Sequence, residues 1–253
     1  MAVCLVVVGA SQPGSPFALK LPGAWFFGLP GPGGPPRQGN FWGVAAVWVG
    51  LLGMARAWWL LCRALRRSPG LPPARLAWVV VLWCVPLLIG PPLLSRDVYI
   101  YAAYGDLLTL GLNPYHFGPG ALAGGGFLHL VDPIWRSTPA PYGPLFPPLS
   151  AFVVRLTAHH PLGAVVGLRL VALAGVGLAA WSLPVVARAH DRDPALAVAL
   201  GILNPVTLCG FVAGSHNDAL MIGLVLAALA LASRGRTAVA LVVASLAAAV
   251  KVP

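Results

Sequence analysis

The chain has 253 residues, of which 58% are hydrophobic and only 9% are charged, and its mean hydropathy is +0.84. Soluble domains carry about 25% charged residues, so this composition excludes an ordinary soluble protein and predicts a polytopic membrane protein. Basic residues exceed acidic ones by ten, but they form no cluster on a polar helix face, so nucleic acid is not an expected partner. Membrane topology and binding to anionic headgroups or phosphates account for the excess more simply.

The first 40 residues are predicted to be a partial N-terminal segment followed by a loop. A short apolar stretch, Ala2–Ala10, has no basic residue ahead of it and is a poor signal peptide. Residues 11–40 contain seven Pro and seven Gly, a composition that cannot sustain a helix or a strand. The chain stops at Pro253 without a polar tail, and we therefore expect it to be a fragment.

Apolar runs in the rest of the chain predict transmembrane helices in two blocks, residues 41–94 and 170–253. A helix needs about 20 apolar residues to cross a bilayer, and several of the runs reach that length, although the last two are short. An Asn204-Pro205 pair inside one run predicts a kink. The predicted runs are Phe41–Cys62, Ala77–Leu94, Leu170–Ala187, Ala195–Ala213, Ala219–Ala232 and Thr237–Val250.

Basic residues crowd three of the connections between these runs, and counting crossings puts all three on the same side of the membrane. The positive-inside rule makes that side cytoplasmic. The long polar and aromatic segment 95–169 then lies outside the cell, as do the turn at 214–218 and Lys251. The three basic groups are Arg63, Arg66, Arg67 and Arg75; Arg188 and Arg192; and Arg234 and Arg236.

The stretch SRDVYIYAAYGDLLTLGLNPY, residues 95–115, holds two of the six carboxylates of the chain. Ser95 is a candidate N-cap for a helix that places Tyr101 and Tyr104 on the face of Asp97. Asp106 follows nine residues later and faces the opposite side, so the two carboxylates are not expected to act as a pair. Asp97 is either a partner of the helix dipole or a general base beside tyrosines suited to a sugar.

Two further segments carry polar side chains on the predicted outer side. The proline-rich stretch 132–148 cannot be a regular helix, and it is either a spacer or a loop that presents Trp135, Arg136 and Tyr142 to a ligand. The second segment, GSHND at 214–218, most simply caps the next helix through Ser215 or Asn217. His216 and Asp218 could also ligate a metal, but spacing fixes no third ligand.

Taken together, SRDVYIYAAYG…GLNPY, TPAPYGPLF, LNPVTL…GSHNDALM and the final KVP resemble the polyprenol-phosphate-mannose-dependent α-1,6-mannosyltransferases. These are integral-membrane glycosyltransferases of the GT-C class, and the resemblance covers roughly residues 77–253. It implies an all-α, polytopic, GT-C-like transmembrane bundle with a large extracytoplasmic loop that carries a catalytic Asp beside the membrane. Asp97 occupies that place, while the family's chains continue through several more spans.

The resemblance also implies a reaction. Mannose would move, with inversion and in α-1,6 linkage, from a polyprenyl-phosphate donor to an envelope glycan or glycolipid acceptor at the outer face of the plasma membrane. Asp97 would be the base, and divalent metal dependence stays open, with no metal ligands or cofactor predicted. The expected substrate-binding residues are Arg96, Tyr101, Tyr104, Asp106, Arg136, Tyr142, Arg169, His216, Asn217, Asp218 and Lys251.

A lipid or solute transporter is the alternative function, since polytopic helices with a kink and few charges also suit a carrier. Transporters place ionisable groups near the bilayer midplane, whereas nearly all ionisable residues here fall in the connections. A non-catalytic membrane scaffold is a third possibility, and it would leave Asp97 replaceable.

Overall fold

The computed structural model describes residues 1–12, 15, 17, 41–123 and 125–251. These residues form helices and connecting turns with no β-strand among them, in agreement with the all-α prediction. Most of the predicted Pro/Gly-rich loop at 11–40 lies outside the described residues. The helices are α1 (Ala2–Ala10), α2 (Phe41–Arg67), α3 (Ala77–Ile89), α4 (Asp97–Thr109), α5 (Phe146–Leu156), α6 (Pro161–Ala189), α7 (Pro194–Gly201), α8 (Pro205–Thr207), α9 (Asp218–Ala232) and α10 (Thr237–Val250).

Two of the described helices, α2 and α6, are long and apolar enough to cross a membrane, and they have 27 and 29 residues. The predicted span Ala77–Leu94 is shorter than expected: α3 ends at Ile89, because Gly90 and two prolines follow it. Helices α9 and α10 have 15 and 14 residues, which at 1.5 Å per residue cover about 70 to 75% of a hydrocarbon core of about 30 Å. The chain is therefore membrane-associated, and two helices in its described part could span a membrane by length and composition.

A third span results if α7 and the segment Pro205–Ala213 are counted as one bent helix. The two parts meet at an angle of 48°. The side chain of Asn204 accepts a hydrogen bond from the backbone N–H of Val206 at 2.9 Å, so it starts the second part while Pro205 occupies the first position of α8. The predicted Asn204-Pro205 kink is confirmed, and the helix continues as a π-helical turn over Leu208–Ala213.

The chain divides into two compact units, neither of which is a continuous segment. In the first unit, residues 1–95 and 179–214, α1 lies so close to α2 that a Cβ on Gly50 would come 2.7 Å from the carbonyl oxygen of Ala2. Trp58 on α2 donates its indole N–H to the carbonyl of Ala199 on α7 at 2.8 Å. Asp193 caps α7, and hydrogen bonds from the N–H groups of Gly70 and Leu196 hold the pKa of its carboxyl below the ordinary value.

The second unit, residues 96–178 and 215–253, is built around α4. Every residue of α4 from Val98 to Leu107 is buried, so this helix is a core element and not an exposed loop helix. Gly105 lets α4 approach α5, since a Cβ there would meet the backbone of Ser150 at 2.6 Å. Glycines also bring α6 and α9 together, because Gly175 faces the backbone of Ala219.

The first transmembrane helix after the predicted loop begins earlier than the sequence suggested. Helix α6 starts at Pro161, not at Leu170, so Arg169 is a helical residue and not the end of a loop. The start is set locally: Ala158 and His159 have φ of +48° and +59°, which ends α5, and proline suits the first position of a helix. The predicted segment 95–169 thus contains α4, α5 and the first turns of α6.

Candidate active site

Asp97 is the first residue of α4, with Arg96 at the N-cap position, so the helix begins one residue later than a Ser95 cap would place it. The carboxylate stands where the helix dipole favours negative charge. Its Oδ2 lies 3.2 Å from Nδ1 of His216, and its side chain is 38% exposed. Asp97 therefore sits at a helix N-terminus and is accessible beside His216. Its role as a general base stays a prediction.

The turn at 214–218 does not cap α9 as predicted. Asn217 stands at the N-cap position, but its side chain makes no capping hydrogen bond, and its Oδ1 accepts instead from the Tyr101 hydroxyl at 3.2 Å. Ser215 accepts from Nε of Arg169 at 3.1 Å. Asn217 is 2% exposed and Ser215 is 1% exposed. Buried polar atoms need hydrogen-bond partners, and here tertiary packing supplies them from other helices.

Asp218, the residue after Asn217, forms an ion pair with Lys251. Nζ of Lys251 lies 2.9 Å and 3.1 Å from the two carboxylate oxygens of Asp218. The ammonium also lies 6.0 Å from the centre of the Tyr142 ring, close enough for a cation–π contact. Both charged side chains keep about a third of their surface exposed, at 33% and 28%.

Tyr101, Tyr104, Tyr142 and Phe146 form an aromatic cluster. Their rings meet edge to face, with distances of 5.0 to 6.0 Å between ring centres. Tyr104 donates its hydroxyl to the carbonyl of Thr138 at 2.9 Å. Burial raises the pKa of Tyr104 to about 12, and it also raises the pKa of Tyr101 and Tyr142, with the Asp97 carboxylate adding to the effect for both. These hydroxyls therefore stay neutral and able to donate hydrogen bonds.

The proline-rich segment docks on the end of α10, a contact that sequence reasoning missed. The N–H groups of Gly143 and Leu145 donate to the carbonyls of Val250 and Ala249 at 3.0 and 2.8 Å. These two carbonyls belong to the last turn of α10, where backbone carbonyl groups have no hydrogen-bond donor within the helix. A Cβ on Gly143 would collide with the Ala249 carbonyl, so only glycine fits this approach. The docking places Tyr142 next to Lys251.

Arg169 and Ser215 form a buried, hydrogen-bonded pair near Tyr99. Arg169 is only 3% exposed, so its side chain does not reach out to lipid headgroups as long basic side chains at membrane surfaces often do. Tyr99 is fully buried; burial raises the pKa of its hydroxyl, and the nearby charges of Arg169 and Arg96 oppose that rise. Tyr99 was not predicted, because a tyrosine inside an apolar helix gives no signal of a charged neighbour more than 60 residues away.

Three of the predicted site residues have other partners. Arg96 forms an exposed ion pair with Asp132 at 3.2 Å. Arg136 donates its Nε to the carbonyl of Val131 at 3.3 Å. Asp106 is buried, and its Oδ1 lies 2.7 Å from Nδ1 of His159.

The arrangement combines the exposed Asp97 carboxylate, a histidine in contact with it, neutral tyrosine hydroxyls, and the Lys251 ammonium beside Tyr142. A carboxylate of this kind can accept a proton from a hydroxyl, and the aromatic rings suit the apolar face of a sugar. Within the described part of the chain, no three His, Cys, Asp or Glu side chains come together as they would around a metal ion.

Comparison with known proteins identifies the family. A family model described as "Alpha-(1->6)-mannopyranosyltransferase, N-terminal domain" matches residues 2–253. A probable alpha-(1->6)-mannopyranosyltransferase of Mycolicibacterium smegmatis is 43% identical over 191 residues, which cover 74% of this chain and 34% of the relative. Alpha-(1->6)-mannopyranosyltransferase A of Mycobacterium tuberculosis is 36% identical over 205 residues, which cover 81% of this chain and 39% of the relative.

A further alpha-(1->6)-mannopyranosyltransferase of Mycobacterium tuberculosis is 40% identical over 74% of this chain and 32% of its own length. The chain thus spans about a third of the curated relatives that it matches. No solved structure matches it. Since the family model covers nearly the whole chain, the protein belongs to the alpha-(1->6)-mannopyranosyltransferase family and matches that family's N-terminal domain.

Proposed function

We propose that the protein is a membrane mannosyltransferase that moves mannose from a polyprenyl-phosphate donor to a glycan or glycolipid acceptor, with inversion and in α-1,6 linkage. The names of its relatives support the sugar and the linkage. The observation that carries the proposal is the accessible Asp97 carboxylate at the start of α4, grouped with His216, the tyrosines and Lys251.

In this reaction Asp97 is the general base. It takes the proton of the acceptor hydroxyl as that oxygen forms a bond to the anomeric carbon of mannose. The bond between the anomeric carbon and the phosphate oxygen breaks, and its electron pair leaves with the phosphate. A phosphate is a good leaving group without protonation, so one carboxylate suffices, and such a base contributes about 10²- to 10⁴-fold in rate.

Cations near the leaving phosphate stabilise the charge that develops on it. Lys251 suits this role, because it is partly exposed and its Asp218 partner holds it beside the aromatic cluster. Arg169 is buried and acts at longer range, as a fixed positive charge behind Ser215 and Tyr99. Arg96 and Arg136 are engaged elsewhere and have a smaller part.

We infer a multi-pass, GT-C-like bundle in the plasma membrane with the site on its outer face. The basic groups lie in the last turns of α2 and α6 or shortly after α2, α6 and α9, which supports a common cytoplasmic side for these three helix ends. The connections on that side are short, so they leave little room for a nucleotide-binding domain. A donor whose polyprenyl chain lies in the bilayer avoids this difficulty, since its headgroup reaches the outer surface.

The identity of the donor tests this proposal. Membranes containing the complete protein are given radiolabelled polyprenyl-phosphate mannose or labelled GDP-mannose, while synthesis of the lipid donor from GDP-mannose is blocked. We expect label to reach the glycan only from the polyprenyl-phosphate donor. Transfer from GDP-mannose under the block would contradict the lipid-donor proposal, and no transfer from either donor would contradict the enzyme assignment.

A further inference from the structure

Three consecutive residues at the start of α9, from the preceding turn to its first residue, each contact a different part of the candidate active site. His216 meets Asp97, Asn217 meets Tyr101, and Asp218 meets Lys251. Predicted as a simple helix cap, the turn instead links α4 to the residue that follows α10. Of its three contacts, the one made by His216 reaches the proposed base directly.

The contact between His216 and Asp97 joins one imidazole nitrogen to one carboxylate oxygen. Nδ1 of His216 lies 3.2 Å from Oδ2 of Asp97, at the distance of an ion-pair contact. A carboxylate oxygen can only accept a hydrogen bond, so an N–H group at Nδ1 can act as its donor. Such a partner restricts the rotation of the carboxylate, as partners of catalytic carboxylates and histidines commonly do.

The backbone on both sides of His216 is held in place. Ser215 has a φ of +57°, in the left-handed region that non-glycine residues seldom adopt, and its hydroxyl accepts from buried Arg169. Asn217 is 2% exposed and accepts from Tyr101. A strained turn with buried partners on either side keeps the imidazole in one orientation, as a preorganised site requires.

We propose that His216 is a positioning residue for Asp97: during the reaction its Nδ1–H donates to Oδ2 and holds the carboxylate oriented toward the acceptor hydroxyl. This inference rests on the proposed transfer reaction. The proton of the acceptor still ends on Asp97, and His216 neither touches the sugar nor gains a proton in the step.

Other charged and titratable groups face the same carboxylate. Tyr101 on α4 and Tyr142 in the proline-rich loop interact with it electrostatically, and both stay neutral. The Asp218–Lys251 pair adds one negative and one positive charge next to Tyr142. His216 lies 3.2 Å from the Asp97 oxygen, so removing it changes the immediate surroundings of the base.

The test compares substitutions at position 216 in the complete protein. His216→Ala should lower kcat about 10- to 100-fold with little change in the KM for either substrate, because only orientation of the base is lost. His216→Asn should restore much of the rate, since its amide N–H lies near the position of Nδ1, whereas the amide of His216→Gln lies nearer Nε2. The matched control is His116→Ala, an exposed histidine outside the site.

Chemical rescue separates hydrogen bonding from simple space filling. His216 is 27% exposed, so a small molecule can reach the space left in His216→Ala. At about pH 8.5, where the free imidazoles are neutral, imidazole should raise kcat because it has an N–H to donate. 1-Methylimidazole, which is larger and has no N–H, should not.

The outcomes distinguish this inference from the function on which it rests. If Asp97→Asn is inactive and His216→Ala has the wild-type kcat, the positioning role is wrong while the transfer reaction stands. Equal rescue by imidazole and 1-methylimidazole would also overturn it, because it would mean that His216 only fills space. If the wild-type protein transfers no mannose, the proposed function itself fails.

Discussion

Lys251 holds both carboxylate oxygens of Asp218, at 2.9 Å and 3.1 Å, and its ammonium faces the ring of Tyr142 at 6.0 Å. The pair joins the residue after α10 to the first residue of α9. It leaves the ammonium partly exposed beside the Tyr142 ring, on which the Asp97 carboxylate also acts electrostatically, and this is the arrangement expected of a cation that meets a ligand phosphate.

Lys251→Met should weaken donor binding. Losing one charge-assisted hydrogen bond to phosphate costs about 1.5–3 kcal/mol, so the KM for the lipid donor should rise at least about tenfold. Initial rates over a range of donor concentrations measure this. Arg155→Gln, an exposed residue of α5 that removes the same charge, is the control and should leave the KM unchanged. An unchanged donor KM in Lys251→Met would rule out the phosphate contact.

Asp106→Asn should affect stability and not chemistry. Asp106 is buried, its Oδ1 lies 2.7 Å from His159, and the hydroxyl of Thr109 is within 3.3 Å of the same oxygen. Replacing this carboxylate weakens a buried polar contact, at a cost of about 1–3 kcal/mol in the free energy of unfolding. Thermal unfolding in detergent should therefore occur at lower temperature, with kcat near wild type. An Asp106→Asn protein that is stable but inactive would transfer the catalytic assignment to Asp106.

Local signals in the sequence placed several of these features. Asp97 follows a break after an apolar run, so a helix start was predicted within one residue, and the nine-residue spacing to Asp106 separated the two carboxylates. The Asn204-Pro205 bend follows from the missing proline N–H. Each of these inferences depends on neighbours in the chain, which a sequence displays directly.

Tertiary partners could not be predicted in the same way. Ser215 and Asn217 have ordinary capping side chains, and only the folded chain brings Arg169 and Tyr101 to them. The docking of Gly143 on the last turn of α10 joins residues more than 100 positions apart. Helix α6 begins at Pro161 because of backbone angles at 158 and 159, which apolar periodicity does not reveal.

Gly143→Ala should disturb the site through the backbone. The added Cβ would meet the Ala249 carbonyl, so the loop must move away from α10 and carry Tyr142 from Lys251. We expect a lower unfolding temperature and a several-fold loss of transfer. Gly177→Ala is the matched control, because a Cβ there meets nothing within 4 Å. Wild-type stability and activity in Gly143→Ala would contradict the docking of the loop.

Cysteine labelling tests the proposed topology. The native cysteines at 4, 62, 84 and 209 are free and must first be replaced. Ser137→Cys, at an exposed position of the proline-rich loop, should react with a membrane-impermeant maleimide in intact cells. Ser68→Cys, exposed after the basic end of α2, should react only after permeabilisation. The reverse pattern would place the candidate active site in the cytoplasm.

The role of Asp97 is tested most directly by single-turnover transfer from radiolabelled polyprenyl-phosphate mannose, with the purified complete protein and its Asp97→Asn variant. The amide is nearly isosteric with the carboxylate but cannot take the acceptor proton. We predict a rate at least about 10²-fold lower, with donor affinity and unfolding temperature unchanged. Transfer by Asp97→Asn at the wild-type rate would contradict the account, because Asp97 would then serve only to start α4.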